Sequence, residues 1–355
     1  MSDFSNKTVA VTGCCGTVGA ELVSQLLSDY EVGELIGLDN NDSELFFQQQ
    51  RHKHQSNAKF FLSDIRDRDR LSELFKGVDI VFHSAAYKHV VLCEQSPFDA
   101  VQTNILGVKN VIEAAKACNV EKVIFTSSDK AVNPTNVMGT TKLMGERLMT
   151  AANCACNGDG PIYASTRFGN VLGSRGSVIP IFREQIKKGG PVTLTDRDMT
   201  RFIMSIKEAT NLVIDSSLFA KGGEIFVTKM PVIRIEDLAQ VMINQLAAVY
   251  GHDPKSIEIT TIGTKPGEKL YEELMSDEET GRTWELEKYF AVLPSYRSLY
   301  REINYEYPAV VSRTVSNAYH SANEPSLSQN ELSEFLKRNE LIDESLPSTH
   351  PAERF

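Results

Sequence analysis

Short apolar runs alternate along the chain with longer polar stretches in which apolar residues recur at helical spacing. Lys7–Thr12, Glu34–Leu38, Ala58–Leu62, Val78–Phe82, Val123–Phe125 and Ile162–Arg167 are short and apolar, and each is expected as a strand. Glu21–Leu27 and Ser43–His54 are expected as helices between them, the second a solvated surface helix. Pro97 to Asn119 is expected as one long helix, because Val101, Ile105, Val108, Ile112 and Ala115 keep a helical period. Another helix carries Lys142, and Asn153–Pro161 (NCACNGDGP) follows it as a loop. Repeated units of this kind predict an α/β fold built on a doubly wound parallel sheet. From about Gly169 the sequence FGNVLGSRGSVIP turns rich in glycine and serine, which marks the shift to a smaller C-terminal lobe. The expected division is 1–172 with a return around 202–230 for the sheet domain, and 173–201 with 231–355 for the lobe. Gly222–Val227 is the segment expected to rejoin the sheet. Glu236–Tyr250 and Ser328–Leu341 are expected helices, the latter opened by a Ser328/Glu331 capping box over a buried Leu332, Phe335, Leu336 stripe.

A length of 355 residues fits one large or two interlocked domains. The net charge of −10 argues against a nucleic-acid or anionic-membrane surface, while leaving room for a few local cations around an anionic small ligand. Six irregularly placed cysteines do not form a disulfide framework. Cys154 and Cys156 lack a matching Cys/His pair, so no metal site is expected, and all six read as reduced thiols of a cytoplasmic protein. The N-terminus MSDFSNKTV lacks the features of a signal peptide, and no apolar run approaches the roughly 20 residues of a membrane span.

The candidate chemistry begins at the first strand. GCCGTVG follows it at once and a helix follows that, which is the opening of a dinucleotide-binding Rossmann domain. Gly13 permits the tight turn, Gly16 lets backbone approach a pyrophosphate, and Gly19 lets helix and strand pack closely. The free N–H groups of the helix N-terminus suit the phosphates. Asp39 ends the second strand, where a carboxylate can accept both adenosine ribose hydroxyls and repel a 2′-phosphate, favouring NAD over NADP. Asp64 and Ile65 stand at the end of the third strand. SSDKAVNPTNVMGTTK (Ser127–Lys142) then places Asp129 and Lys130 at the carboxyl end of a strand, with Met138 and Lys142 on one face of the next helix. A carboxyl and two ammonium groups beside hydroxyls are equipment for moving protons.

The motifs TGCCGTVG, DIRD, SAAYKHV, SSDKAVNPTNVMGTTK, RFGNVLGSRGSVIP, DMTRFIMS and KPGEKLYEEL, running from about residue 8 to 275, resemble the extended short-chain dehydrogenase/reductase superfamily. Within it they resemble the UDP-N-acetylglucosamine 4,6-dehydratases of polysaccharide biosynthesis. The resemblance implies oxidation at C4 of the sugar, loss of water across C5–C6 and hydride return to C6. It assigns Asp129 as the acid for the departing hydroxyl, Lys130 as the base at C5, Ser128 as the partner of the C4 oxygen, and Lys142 to the nicotinamide ribose. Lysine rather than glutamate at position 130 favours an N-acetylated sugar over glucose. Thr17, Val18, Ala85, Ala86, Lys88 and Asn104 join Gly13, Gly16, Gly19, Asp39, Asp64 and Ile65 as implied cofactor contacts. Asn170, Arg175, Val178, Arg201, Lys265 and Glu268 are the implied contacts of the UDP-sugar in the substrate-binding lobe. A homo-oligomer is implied as well.

The superfamily's tyrosine, four residues before the lysine, is Met138 here, and a thioether is neither acid nor base. Two other readings stand beside the dehydratase, and only the second draws on Met138. One is a nucleotide-sugar epimerase, for which the Asp129–Lys130 pair is superfluous. The other is a catalytically silent dinucleotide-sensing protein, which would have no reason to keep Asp129, Lys130 and Lys142 together. His83 and His89 are expected as packing or hydrogen-bonding residues near the cofactor, and Phe46, Phe47, Phe60 and Phe61 as core or interface contacts.

Overall fold

The computed structural model describes residues 4–155, 160–174, 176–264, 267–296 and 302–342. They form two compact units. The first comprises Met1–Phe168, Lys207–Lys229 and Glu273–Ala318; the second comprises Gly169–Ile206, Met230–Glu272 and Tyr319–Phe355.

The expected strands all form, within a residue or two, as β1 (Thr8–Thr12), β2 (Glu34–Asp39), β3 (Ala58–Leu62), β4 (Ile80–His83), β5 (Lys122–Thr126) and β6 (Ile162–Arg167). The returning segment supplies β7 (Ile225–Thr228), and three more strands follow as β8 (Thr283–Leu286), β9 (Tyr289–Val292) and β10 (Val310–Ser312). They make one sheet in the order β10-β8-β9-β7-β6-β5-β4-β1-β2-β3. From β3 to β7 every pairing is parallel. Beyond β7 the pairings with β9, β8 and β10 are antiparallel. Strand order reverses between β1 and β4, so their carboxyl ends open the crevice where such sheets take ligands. The core on one side joins Ala10, Ile36, Val81, Val123 and Tyr163 of the sheet to Val108, Val111, Ala114 and Ala115 of a helix.

The antiparallel extension changes the expected division. Residues 273–318 belong with the sheet, because β9 pairs with β7 from Ile225↔Val292 to Thr228↔Tyr289. The first boundary falls at Phe168/Gly169, where the composition turns glycine-rich, and the return begins at Lys207.

The long helix expected over Pro97–Asn119 is interrupted. Pro97–Val101 and Gly107–Ala117 are α-helical, but Gln102–Leu106 widens into a π-helical turn. A side chain explains the widening. Asn104, within the turn, accepts from the Tyr87 N–H and donates to the Tyr87 carbonyl and the Thr141 hydroxyl, at 2.8, 2.9 and 3.0 Å. The helix carrying Lys142 spans Val137–Cys154, capped by the Asn136 side chain on Gly139 N, so it takes the first two residues of the expected loop. Residues 156–159 of that loop lie outside the described residues. Phe46, expected in a core or interface, is 57% exposed.

In the second unit, Asn170–Val171 pairs parallel with Thr200–Met204, and Val232–Arg234 pairs antiparallel with that same strand. Helices Val178–Lys187, Ile235–Leu246 and Gln329–Arg338 bury Phe182, Leu238, Met242 and Phe335 in one core. The Ser328/Glu331 capping box is made in both directions.

One buried network ties the first unit together. Arg167, at the end of β6, donates from Nε and Nη2 to Glu146 at 2.8 and 2.6 Å. Nη1 and Nη2 donate to Glu279 at 2.8 and 2.9 Å, and Nη1 also reaches the Leu274 carbonyl at 3.2 Å. All three side chains are almost wholly buried. Burial pushes the guanidinium pKa down, but the two carboxylates outweigh it and hold Arg167 charged. Burial would likewise raise the Glu279 carboxyl, and Arg167 holds it below its ordinary range. Truncating one partner strands a buried charge, so Glu279→Ala is expected to lower unfolding free energy by roughly 3–5 kcal/mol in urea titrations. A loss under about 1 kcal/mol would show that the pair is solvated.

Candidate active site

The glycine-rich loop has the geometry of an anion cradle. Gly13 sits at φ +70°, and a Cβ there would lie 2.6 Å from Ala85 N. A Cβ at Gly19 would meet the Gly13 carbonyl at 2.0 Å, so close packing of loop and helix requires glycine. At Gly16 a Cβ would meet only the Gly13 carbonyl, at 3.3 Å, so the backbone there faces open space. Gly16 caps helix Thr17–Ser28 without a side-chain bond, and Thr17 and Val18 begin the helix. Asp39 ends β2 with its carboxylate accepting from Cys15 N at 2.9 Å and Asn41 N at 3.0 Å.

At the third strand end, Asp64 and Ile65 are held by neighbours within the fold. Asp64 is gripped by Arg66 at 2.6–3.0 Å and meets Asn40 at 3.4 Å; Arg66 pulls its pKa down. Ile65 is buried against Gly107. Ala85 and Ala86 follow β4, Lys88 is exposed beyond them, and Asn104 acts on the same segment by clamping Tyr87.

Ser128, Asp129 and Lys130 are assembled on one turn. After β5, Ser128 caps a short 3-10 turn, Asp129–Ala131, and Asp129 N donates to the Phe168 carbonyl. Asp129 is buried, while Lys130 keeps 25% of its side chain exposed. Ser128 Oγ donates to Asp129 Oδ1 at 2.6 Å. Lys130 Nζ stands 3.1 and 3.3 Å from the two carboxylate oxygens, and Lys130 N donates to Oδ1 at 2.9 Å. The ion pair and its neutral tautomer thus differ by one proton moved along an existing hydrogen bond.

Lys142 stands behind this turn. Its ammonium donates to the Thr126 carbonyl at 2.8 Å and lies 4.7 Å over the Phe125 ring. Burial pushes its pKa down to about 8, against opposing pulls from Glu146 and Cys93. His83 is wholly buried, its Nδ1 2.7 Å from Thr12 Oγ1; burial and then Lys142 lower it to about 3, so the ring is neutral. His89 is exposed at the start of helix Val90–Gln95. Met138 packs with Cys93 and Ala100 in a small apolar cluster. Its neighbour Gly139 presses on the turn, since a Cβ there would lie 2.1 Å from the Lys130 carbonyl.

Several of these contributors escaped sequence reasoning. The Thr126 carbonyl has no side-chain signature, and the burial of His83 becomes visible only in three dimensions. Glu146, four residues after Lys142 on the same helix, did carry a spacing signal.

In the second unit, Arg201 is almost fully committed. Its Nη atoms donate to the carbonyls of Thr200, Lys269 and Leu270 at 2.7–3.1 Å, and Glu268 and Glu272 lie 3.9 and 3.7 Å away. Glu268 also accepts from Thr195 Oγ1 at 3.3 Å. Asn170 pairs with Ile203, and Val178 packs against the lobe's core. Arg175 and Lys265 lie outside the described residues.

The sequence pattern of a family described as polysaccharide biosynthesis protein matches residues 9–294. An uncharacterized membrane protein of Methanocaldococcus jannaschii is 51% identical over 82% of this chain and 87% of its own. A UDP-N-acetylglucosamine 4,6-dehydratase (inverting) of Campylobacter jejuni is 36% identical over 83% of this chain and 85% of its own. A UDP-glucose 4-epimerase of Rickettsia akari is 38% identical over the same shares of the two chains. Among solved structures, Pen from Bacillus thuringiensis superposes with a TM-score of 0.88 at 39% identity, covering 96% of this chain and all of that one. Among the described residues no helix is long and apolar enough to cross a membrane.

Lys142 makes the site's electrostatics measurable. Between about pH 8 and 10.5 the unfolded lysine holds a proton that the folded one has lost, so stability rises with pH across that window. The unfolding free energy of the parent minus that of Lys142→Met is expected to grow by roughly 3 kcal/mol across it. A flat difference would place the ammonium in water.

Proposed function

The chain belongs to the polysaccharide biosynthesis protein family of extended short-chain dehydrogenases/reductases, and from that premise we propose that it is an NAD-dependent UDP-N-acetylglucosamine 4,6-dehydratase. The observation that carries this reading is the Asp129–Lys130 pair, hydrogen-bonded at 3.1 Å on a turn at the carboxyl end of β5. A second reading, a 4-epimerase, draws on the name of the Rickettsia relative. That reaction does not need an acid at C6, and Met138 offers no hydroxyl for the oxidation.

The cofactor cradle fits a dinucleotide: the Gly13–Gly19 loop leaves backbone open at Gly16, and Asp39 presents a carboxylate at the end of β2. A bound nicotinamide would supply hydride acceptance at C4 and hydride donation at C6. Ser128 hydrogen-bonds the C4 oxygen, and Lys142 supplies positive charge beside it while it is protonated, below about pH 8. Lys130 in its neutral form removes the C5 proton. Asp129 in its protonated form gives a proton to the C6 hydroxyl, which leaves as water. The proton gained by Lys130 then passes to Asp129 along their hydrogen bond, which resets both groups; the C4 hydroxyl proton released on oxidation goes to solvent, and solvent returns one proton to C5 once hydride has added at C6. In the second unit, Arg201 orders the 268–272 segment through its carbonyls, leaving Glu268 as the partner of the nucleotide's hydroxyls. Asn170, Arg175, Val178 and Lys265 complete the substrate contacts on this reading.

The protein is also read as a cytoplasmic homo-oligomer. Val91, Leu92, Phe98 and Val101 expose apolar side chains on two consecutive helices, and Phe98 is 85% exposed, which supports a partner surface.

Incubation with UDP-N-acetylglucosamine in deuterated water, read by NMR, is expected to give a 4-keto-6-deoxy product carrying solvent deuterium at C5. A product that keeps its C6 hydroxyl and has no deuterium at C5 would establish the epimerase instead. Lys130→Met should abolish C5 exchange, whereas Asp129→Asn should spare exchange and block water loss. Dehydration by Lys130→Met within about tenfold of the parent, about 1.4 kcal/mol of barrier, would remove Lys130 as the base. Asp39→Ala should relax the preference for NAD, measured as the ratio of NAD to NADP affinities. Tightly bound NADP extracted from the parent protein would contradict that assignment.

A further inference from the structure

The glycine-rich loop carries two adjacent thiols that dinucleotide binding does not call for. Cys14 and Cys15 are both buried, and their Sγ atoms stand 4.0 Å apart on the same side of the loop. An Asp39 carboxylate oxygen completes the group, all three donor atoms lying within 4.8 Å of one another. A tetrahedral zinc-class ion with metal–sulfur bonds of about 2.3 Å holds two thiolates about 3.8 Å apart, close to the spacing here. The ligands are pre-oriented from behind. Asp39 accepts from Cys15 N and Asn41 N, and Gln48 Nε2 holds the Cys14 carbonyl at 2.8 Å.

Electrostatics point the same way. Three groups whose anionic forms oppose one another in a buried space gain from a dipositive ion, which turns each repulsion into shared attraction. On coordination each thiol gives its proton to solvent, so two thiolates and one carboxylate surround one divalent cation.

We propose that Cys14 Sγ, Cys15 Sγ and the Asp39 carboxylate form a binding site for a soft divalent cation of the zinc class, and that cation and dinucleotide exclude one another. The site stands on the loop geometry alone. The exclusion rests on the reading in which Asp39 takes the adenosine ribose hydroxyls, since one carboxylate cannot serve both. A thiophilic cation would then switch off cofactor loading by occupying the ribose partner, at a distance from the Asp129–Lys130 turn.

The test titrates the full-length protein, stripped of nucleotide, with Cd2+ and reads the ultraviolet thiolate-to-metal charge-transfer band. The expected result is a band that saturates at one equivalent, disappears in Cys14→Ser/Cys15→Ser, and weakens in Asp39→Asn. It should persist when Cys93, Cys118, Cys154 and Cys156 are all replaced by alanine, which keeps the proposal testable should the loop variant fail to fold. No band in the parent protein, or loss of the band in the four-alanine variant, would overturn the site. Adding NAD should release the bound Cd2+ and bleach the band. A saturated band that NAD leaves unchanged, in protein that binds NAD by calorimetry, would uphold the cation site and overturn the exclusion.

Discussion

Arg167 sets its guanidinium between Glu146 and Glu279, and the positions of Lys142 and the Asp129–Lys130 turn depend on that buried cluster. Glu146 belongs to the helix that carries Lys142, Arg167 ends the strand beside the one that leads into the Asp129 turn, and Glu279 closes a turn late in the chain. Four side-chain bonds therefore fix a helix, a strand and a distant loop against one another. Hydrophobic contact could hold these elements together but would tolerate sliding. A planar fork between two carboxylates has one good geometry. Glu279 is shared further, since its Oε2 accepts from Ser276 N and completes a capping box, so the short helix Asp277–Thr280 is part of the same assembly.

The cluster also shapes the field in which chemistry takes place. Arg167 and Arg282 both pair with Glu279, and Glu146 stands one helical turn from Lys142. Burial drives the Lys142 ammonium toward neutrality, and Glu146 opposes that drive. The neutral His83 ring adds no competing cation beside it. The first unit can thus hold a lysine that is charged at neutral pH yet near enough to its pKa to respond to its surroundings.

The parallel half of the sheet was legible because buried strands must be short and apolar, and every expected strand from Lys7 to Arg167 formed. The glycine loop was legible for a related reason: Gly13 and Gly19 are demanded by close contacts that any side chain would violate, and Gly16 leaves backbone open. What stayed hidden depends on partners far away in sequence. The strands over 283–312 have ordinary composition, and only their pairing with Ile225–Thr228 assigns them to the sheet. The break at Gln102–Leu106 leaves the helical period nearly intact, so periodicity passes over it, and its cause is the Asn104 side chain reaching Tyr87. The motif around Arg201 suggested an anion binder, and the fold adds what sequence does not show, that its Nη atoms donate to three backbone carbonyls. Asp64 is likewise taken by Arg66, two residues away. A sequence shows which groups are present; how many of their bonds are already spent is a property of the fold.

Gly139 and Met138 are neighbours on one helix, yet they answer to different constraints. Gly139 seats the helix on the Lys130 carbonyl with no room for a methyl group, whereas Met138 fills an apolar niche beside Cys93 and Ala100. Position 138 can therefore drift between side chains of similar bulk without disturbing the register of helix and turn. In evolutionary terms the two halves of the site are separable: a lineage could exchange the hydroxyl that serves oxidation while inheriting the acid–base turn unchanged. The glycine is the hinge-pin of that modularity, and its replacement would be felt first by Lys130.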